Sequence, residues 1–171
     1  MVGNLVFRTV RGQTVVSGRP EPTRSKQTAR QAKQRDRFAD AIAYAKYHLQ
    51  DPLQRQWYQW FAKARGRRYD KVLVSDYLTP PEVHAFDVSG YHGQPGDIIR
   101  AIVEDDVEVV SVEIAIVAAD GTKLEAGPAA RAHGVWRYAA TKAVPAGTSV
   151  QIVLTARDRP ENETTATAKY P

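Results

Sequence analysis

The chain has 171 residues, with 24 Lys and Arg, 19 Asp and Glu, and no Cys. The lack of cysteine excludes disulfides, thiolate metal sites and thiol nucleophiles. Residues 1–80 carry 16 Lys and Arg against 6 Asp and Glu, whereas residues 81–171 carry 8 against 13. This change of sign near Pro80 predicts two domains, a basic module at 1–80 and a mildly acidic one at 81–171.

The first predicted element is a β-hairpin. Leu5–Val10 and Thr14–Ser17 are rich in β-branched residues, and residues 11–13 between them are typical of a turn. Because two strands alone are marginal in water, we expect the hairpin to pack on its own helices or on another subunit. The following Pro20 and Pro22 predict an extended connection.

Two helices are predicted next. Apolar residues recur at helical spacing from about Ser25 onward, and Asp51-Pro52 predicts the N-cap and first residue of a second helix ending near Arg65. Their apolar stripes are expected to face each other in an α-hairpin with an aromatic core. The first stripe is Phe38, Ile42, Ala45 and Leu49, and the second is Leu53, Trp57, Trp60, Phe61 and Ala64.

After residue 80 the apolar period changes from helical to alternating. Short strands separated by frequent turns are typical of an immunoglobulin-like sandwich. The predicted strands are Val83–Val88, Asp97–Val103, Val110–Ala118, Lys123–Glu125, Val135–Ala140, Val150–Ala156 and Thr164–Lys169. Alternation is clearest in Val110, Val112, Ile114 and Ile116, which are expected to face the core together. The predicted fold class is α+β, with a β-hairpin and two-helix module followed by an all-β immunoglobulin-like sandwich.

Two segments resemble known families. The first is Asp97–Asn162, with its acidic turn at 104–106 and the motifs Val112-Glu113-Ile114-Ala115-Ile116, Trp136-Arg137-Tyr138 and 156–162. It resembles bacterial immunoglobulin-like or fibronectin-type modules of surface and virion proteins. The second is the amino-terminal pattern of residues 3–7, 12–16 and 19–20 with Gln27, Gln31, Arg35 and Phe38. It is similar to the start of small uncharacterised proteins of bacteria and their phages or prophages, and implies a structural setting.

Catalytic and phosphate-binding signatures are missing from the sequence. The histidines have no metal-ligand spacing, and no serine stands in a nucleophile-elbow context. The glycine-rich segment 90–96 lacks the lysine and following helix of a phosphate-binding loop. The sequence therefore predicts a protein that is not an enzyme and has no cofactor.

No metal is predicted as the main interpretation, but one calcium alternative stays open. Asp105 and Asp106 in one loop, and Asp158, Glu161 and Asn162 in another, offer the hard oxygen ligands that calcium prefers. They would form a site only if the fold brings the loops to the same end. The same residue types are also what tight turns use.

A basic stretch before and within the first helix is the predicted attachment surface. It has three interpretations: docking onto an acidic protein neighbour, contact with nucleic-acid phosphates, or a solvated face. The residues assigned to partner binding are Arg24, Lys26, Arg30, Lys33 and Arg37, with Phe7 and Val15 of the hairpin.

The predicted function is that of a non-enzymatic structural protein in a larger homo- or hetero-oligomeric assembly, most simply a phage virion or tail-like particle. No secretory signal or membrane-spanning segment is visible, so location in a particle assembled in the bacterial cytoplasm, or otherwise cytoplasmic, is expected. One alternative is nucleic-acid binding through the basic face. Another is a carbohydrate- or surface-binding module using Tyr91, Trp136 or Tyr138, although alternation predicts that Trp136 and Tyr138 share a buried face.

Overall fold

The computed structural model describes residues 5–18, 28–145 and 147–170. The chain divides into two compact units, Met1–Gln34 and Arg35–Pro171. In chain order the elements are β1 (Leu5–Val10), β2 (Gln13–Gly18), α1 (Ala29–His48), α2 (Pro52–Ala64), α3 (Tyr69–Leu78), β3 (Glu82–Asp87), β4 (Ile98–Glu104), β5 (Val109–Ala118), β6 (Lys123–Pro128), β7 (Ala130–Ala132), β8 (Val135–Ala139), β9 (Val150–Asp158) and β10 (Glu163–Tyr170). The fold is mixed α+β with antiparallel sheets.

The amino-terminal hairpin is present as predicted. Strands β1 and β2 pair antiparallel from Leu5 opposite Gly18 to Val10 opposite Gln13. Arg11 and Gly12 close the turn with positive φ angles of 52° and 79°. Two positive φ angles in a two-residue loop match the right-handed twist of hairpin strands. The predicted extended connection at Pro20 and Pro22 lies outside the described residues.

Helix α2 begins at the predicted residue, whereas α3 was not predicted. The Oδ1 atom of Asp51 accepts hydrogen bonds from the backbone N–H of Leu53 at 2.8 Å and of Gln54 at 3.4 Å. These bonds satisfy amides that a helix start leaves without partners. Helix α3 follows Arg68, which makes no side-chain capping hydrogen bond, so this start has no N-cap residue for sequence analysis to recognise.

The predicted apolar stripe of α2 was partly wrong. Leu53 is 74% exposed and Trp60 is 68% exposed, and Ala64 is also exposed. The buried side chains are instead Tyr58 and Ala62, with Trp57 and Phe61 partly buried. Tyr58 can be buried because its hydroxyl finds an acceptor inside the protein, which converts an amphipathic side chain into a core residue.

Strands β3 to β10 form two four-stranded sheets, ordered β10-β9-β5-β6 and β3-β4-β8-β7. Both sheets contribute to one hydrophobic core. Ile99 and Val103 of β4 meet Ile114 of β5 and Leu154 of β9 in that core. Each of the seven predicted strands corresponds to an observed strand, and the three-residue β7 was not predicted.

Val110 does not face the core, contrary to the alternation. Val112, Ile114 and Ile116 are buried as predicted, but Val110 is exposed and Val109 is buried in its place. The pairing of β5 with β9 shifts register between Val109 and Ser111. A bulge of this kind adds one residue to one strand and reverses the facing of the side chains before it.

Helices α2 and α3 are joined to the β-sheets by packing and hydrogen bonds. Val107, from the loop after β4, belongs to the helical core cluster. Arg65 Nη1 donates to the backbone oxygen of Asp106 at 2.8 Å, and Thr164 Oγ1 donates to the backbone oxygen of Pro81 at 2.6 Å. Helices α2 and α3 and the two four-stranded sheets therefore belong to the same unit, Arg35–Pro171. A domain boundary at residue 80 remains a prediction.

Candidate functional site

The hairpin exposes apolar side chains on both of its faces. Residues opposite each other in an antiparallel pair lie on the same face, so Leu5, Phe7 and Val16 share one face. The other face carries Val6, Val10 and Val15. All six side chains are exposed, and Phe7 is 63% exposed. The hairpin therefore presents an apolar surface in a two-stranded sheet.

The predicted basic residues that the structure describes divide into two groups. Arg30 and Lys33 are exposed on α1, and neither forms an ion pair with any other residue in the described part of the chain. Arg37 is exposed too, but its Nη2 donates to the backbone oxygen of Leu78 at 2.8 Å. This bond satisfies a carbonyl at the end of α3. Arg24 and Lys26 lie outside the described residues.

Three carboxylates converge where α3 meets the loop between β4 and β5. Asp76 lies on α3, and Asp105 and Asp106 lie in that loop. Each side chain offers one oxygen, and these oxygens lie within 4.8 Å of one another. Asp76 is 0% exposed, and the other two residues are half-buried. We call Asp76, Asp105 and Asp106 the acidic cluster.

Each carboxylate of the acidic cluster has one oxygen held by a hydrogen bond. Tyr58 donates its hydroxyl to Asp76 Oδ2 at 2.6 Å, and Ser75 Oγ donates to Asp106 Oδ2 at 2.7 Å. Asp105 Oδ1 accepts from the backbone N–H of Val107 and Glu108, both at 2.9 Å. The remaining oxygens are buried and have no hydrogen-bond partner among the described groups: Asp76 Oδ1, Asp105 Oδ2 and Asp106 Oδ1.

The electrostatics of the acidic cluster oppose ionisation. Burial raises the pKa of Asp76 to about 7, and the negative charges of Asp105, Asp158 and Asp106 act in the same direction, while the hydrogen bond from Tyr58 opposes them. Burial also raises the pKa of Asp105. Arg65 reaches only the backbone oxygen of Asp106, and no ion pair with these carboxylates occurs in the part of the chain that the structure describes. The site therefore concentrates carboxylates that water cannot solvate fully.

The structure brings together part of the calcium set proposed from sequence. Asp105 and Asp106 belong to the acidic cluster. Asp158 is buried nearby, but Asn162 engages both its oxygens, with the backbone N–H on Oδ1 at 2.7 Å and Nδ2 on Oδ2 at 2.8 Å. Glu161 is exposed at a positive φ of 67°. Burial raises the pKa of Asp158 as well.

Sequence analysis missed Asp76 as a member of the site. Its one sequence signal is an acidic residue that follows the apolar run Val72-Leu73-Val74 after the single residue Ser75. Asn162 Nδ2 also donates to the backbone oxygens of Asp76 at 3.3 Å and Tyr77 at 3.2 Å. The turn after β9 is thereby attached to the end of α3, beside the acidic cluster.

The aromatic residues considered for carbohydrate binding are buried. Tyr91 is 1% exposed, and Trp136 and Tyr138 are each 6% exposed. The predicted common facing of Trp136 and Tyr138 is therefore confirmed. A sugar-stacking surface cannot use these three rings, because their faces lie in the hydrophobic core.

Comparisons with known proteins define no family for this chain. No family model matches it, and no curated protein sequence matches it. A solved structure of a conjugative transposon lipoprotein from Bacteroides eggerthii DSM 20697 is similar over 53% of this chain and 93% of its own, with 13% identity and a TM-score of 0.30. None of the described helices is long and apolar enough to cross a membrane.

Proposed function

We propose that this protein is a non-enzymatic structural component of a larger assembly, attached through its amino-terminal module. The β-rich part, in this proposal, is an immunoglobulin-like domain that mediates contacts or display. The observation that carries the proposal is the exposed apolar surface of the β1–β2 hairpin.

The hairpin has the properties of an attachment element. Its exposed face with Leu5, Phe7 and Val16 offers apolar area whose removal from water would favour association. A two-stranded sheet is marginally stable alone and gains stability from added strands or a packed face. Another protein subunit supplies both of these, so it is the occupant we propose.

The immunoglobulin-like assignment is supported by strand order. If β3, β4, β7 and β8 are lettered A, B, D and E, their sheet has the order A-B-E-D. The second sheet then reads G-F-C-C′, in which β5 and β6 are C and C′ and β9 and β10 are F and G. These orders are those of immunoglobulin-like sandwiches with one additional C′ strand. Domains of this architecture serve many functions, so the assignment supports a binding or display module without specifying a partner.

A phage virion or tail-like particle is the setting that we propose for the assembly. Its support is the resemblance of the amino-terminal residues to phage and prophage proteins and that of the β-rich part to virion modules. The exposed Arg30 and Lys33 add positive charge suited to an acidic neighbouring subunit.

The assembly role is tested by sedimentation of the tagged full-length chain in lysates of the cells that encode it. The wild-type chain is expected in fast fractions with a particle many times its own mass. For the double variant Phe7→Ser, Val16→Ser, we expect the amount of chain that sediments with the particle to fall at least about tenfold, because the variant lacks the apolar face. The remainder should appear in the monomer fractions.

Leu53→Ser is the matched control, since Leu53 is more exposed than Phe7 but lies on α2. It should leave sedimentation unchanged. A wild-type chain found only as monomer, or a hairpin variant that sediments with the particle as the wild type does, would disprove the proposal.

Nucleic-acid binding is the rival function, and one observation favours it. Arg30 and Lys33 are exposed cations without an acidic partner among the described residues, as a phosphate-binding surface requires. A mobility-shift assay with duplex and single-stranded DNA separates the two functions. Binding lost in Arg30→Gln, Lys33→Gln but kept in Phe7→Ser, Val16→Ser would favour the rival.

A further inference from the structure

We propose that the acidic cluster of Asp76, Asp105 and Asp106 is a binding site for a hard divalent cation of the size of Ca²⁺, which links α3 to the loop between β4 and β5. This inference does not depend on the assembly role. It rests on ligand geometry and on unpartnered buried oxygens, beside a surface depression that reaches Asp105 and Asp106.

The spacing of the carboxylates fits one cation. Ca²⁺ is bound by oxygen ligands at about 2.3–2.6 Å, so two ligands on opposite sides of the ion are up to about 5 Å apart. One oxygen from each of the three carboxylates lies within 4.8 Å of the others. The shorter bonds of Mg²⁺, about 2.0–2.1 Å, require a tighter arrangement.

The second observation is the state of Asp76. Its side chain is completely buried, and Oδ1 has no hydrogen-bond partner. A buried acceptor without a partner costs free energy that native proteins rarely leave uncompensated. Asp105 Oδ2 and Asp106 Oδ1 are unpartnered in the same way. Each of the three carboxylates therefore keeps one oxygen that a cation could bind.

No cationic side chain substitutes for the metal among the described residues. Arg65 donates to the backbone oxygen of Asp106 and its guanidinium lies 3.8 Å from the centre of the Phe61 ring. Arg159 pairs with Glu108 at 3.5 Å and lies over the Trp57 ring at 4.1 Å. Both guanidinium groups thus have other partners, and neither forms an ion pair with the cluster.

A surface depression borders the acidic cluster at Asp105 and Asp106. It is lined by Thr79, Pro80, Glu82, His84, Glu104, Asp105 and Asp106. Glu82 and Glu104 add negative charge at its rim, which raises the local concentration of cations. In this proposal the three carboxylates supply part of the six to eight oxygen ligands that Ca²⁺ prefers, and water molecules supply the rest.

Terbium luminescence tests the site directly on the full-length chain. Tb³⁺ is a hard, oxygen-preferring ion like Ca²⁺, and it emits when a nearby aromatic ring is excited. Tyr58 bonds to Asp76, and Trp57 lies 4.9 Å from Tyr58 between ring centres. We expect sensitised Tb³⁺ emission that Ca²⁺ displaces, and a Kd for Ca²⁺ at or below about 1 mM.

Asp105→Asn is the most informative variant. Its amide oxygen can still accept from Val107 and Glu108, so the turn is kept while the free Oδ2 is replaced by an NH₂ group. We expect at least about tenfold weaker binding. Asp120→Asn is the matched control, because Asp120 Oδ1 also accepts a backbone N–H, that of Thr122, in a turn outside the cluster.

Thermal unfolding gives a second readout. At a concentration about a hundredfold above Kd, Ca²⁺ should raise the Tm of the wild type and of Asp120→Asn by about 5–10 °C, and that of Asp105→Asn by much less. The proposal is overturned if no binding and no shift in Tm are seen with either Ca²⁺ or Mg²⁺ at about 10 mM. It is also overturned if Asp105→Asn binds Ca²⁺ as tightly as Asp120→Asn does. Tighter binding of Mg²⁺ than of Ca²⁺ would overturn the assigned ion size.

Discussion

Tyr58 donates its hydroxyl to Oδ2 of Asp76 at 2.6 Å, and both side chains are almost completely buried. The bond joins α2 to α3 across 18 residues of sequence. It makes Tyr58 part of the helical core and supplies the one hydrogen bond that the Asp76 carboxylate receives from the described residues. The stability of the helices and the chemistry of the acidic cluster are therefore coupled through this pair.

Replacing Tyr58 with Phe should destabilise the protein in a pH-dependent way. The change leaves the buried Asp76 carboxylate without its donor, which costs about 2 kcal/mol when the carboxylate is ionised. We expect this loss near pH 8 and a smaller one near pH 5, where Asp76 is protonated. Urea unfolding at both pH values, with a chelator present, measures the difference.

Tyr47→Phe is the control for this variant, because Tyr47 is 72% exposed. It should leave the free energy of unfolding unchanged at both pH values. An equal loss for Tyr58→Phe at pH 5 and pH 8 would contradict a role for the ionised Asp76.

Stability in the absence of divalent cations should fall between about pH 4 and pH 7. The folded pKa of Asp76 is raised from 3.8 to about 7, so in this window the unfolded chain loses a proton that the folded chain keeps. The unfolded state then binds fewer protons, and the free energy of unfolding decreases as pH rises, becoming level above about pH 7. Asp105 and Asp158, whose pKa values are also raised, add to the same slope.

Asp76→Asn should reduce this slope and make the chelated protein more stable than the wild type at pH 8, by up to about 4 kcal/mol. Urea titrations from pH 4 to 8 measure it. Asp120→Asn serves as the control. Hydrogen bonds from Thr122 lower the pKa of Asp120, so the ionisation of Asp120 changes stability only below the range of pH 4 to 7. A wild-type slope that Asp76→Asn leaves unchanged would show that Asp76 ionises normally.

Glu125 should be a major stabilising residue of the β-rich part. It is 5% exposed and accepts hydrogen bonds from the Tyr138 hydroxyl at 2.5 Å, the Thr141 N–H at 2.6 Å and the Lys142 N–H at 3.1 Å. Burial acts to raise the pKa of Glu125, but these donors outweigh it and lower the pKa. Its contribution is therefore present above the unfolded pKa and is lost as pH falls through the folded pKa.

Glu125→Gln should lower the free energy of unfolding by about 2–3 kcal/mol at pH 7, because an NH₂ group would face one of these donors. In a protein of this size the corresponding fall in Tm is about 5–10 °C. Glu113→Gln on the same sheet is exposed and should have no effect. Differential scanning calorimetry compares the two variants, and similar Tm values for both would refute the assignment.

Arg37→Gln should destabilise α3 by about 1 kcal/mol, since it removes the hydrogen bond to the Leu78 carbonyl. Arg30→Gln should not, because Arg30 is exposed and makes no ion pair with a described residue. Hydrogen exchange of the last turn of α3 reports the effect locally. If hydrogen-exchange protection of this turn is unchanged in Arg37→Gln, the bond from Arg37 to Leu78 does not stabilise α3, and partner contact is the role that remains for Arg37.

Local patterns were sufficient for the elements whose structure depends on neighbouring residues. Asp51-Pro52 identifies the start of α2 because an N-cap side chain bonds to amides two and three residues later. The Arg11-Gly12 turn identifies the hairpin, since glycine permits the positive φ that such turns require. Alternation located β5 because every second residue faces the core.

The amino-acid sequence alone thus determined the order of the elements other than α3 and β7, the mixed α+β class and the residues of the two predicted acidic loops. Only the tertiary structure decided that Tyr58 rather than Trp60 is buried, that Val110 turns outward at a bulge, and that Asp76 joins Asp105 and Asp106. Each of these outcomes depends on contacts between residues far apart in the chain. Sequence periodicity describes only neighbouring residues. The long-range contacts are decided by side-chain packing and by the need to pair buried polar groups.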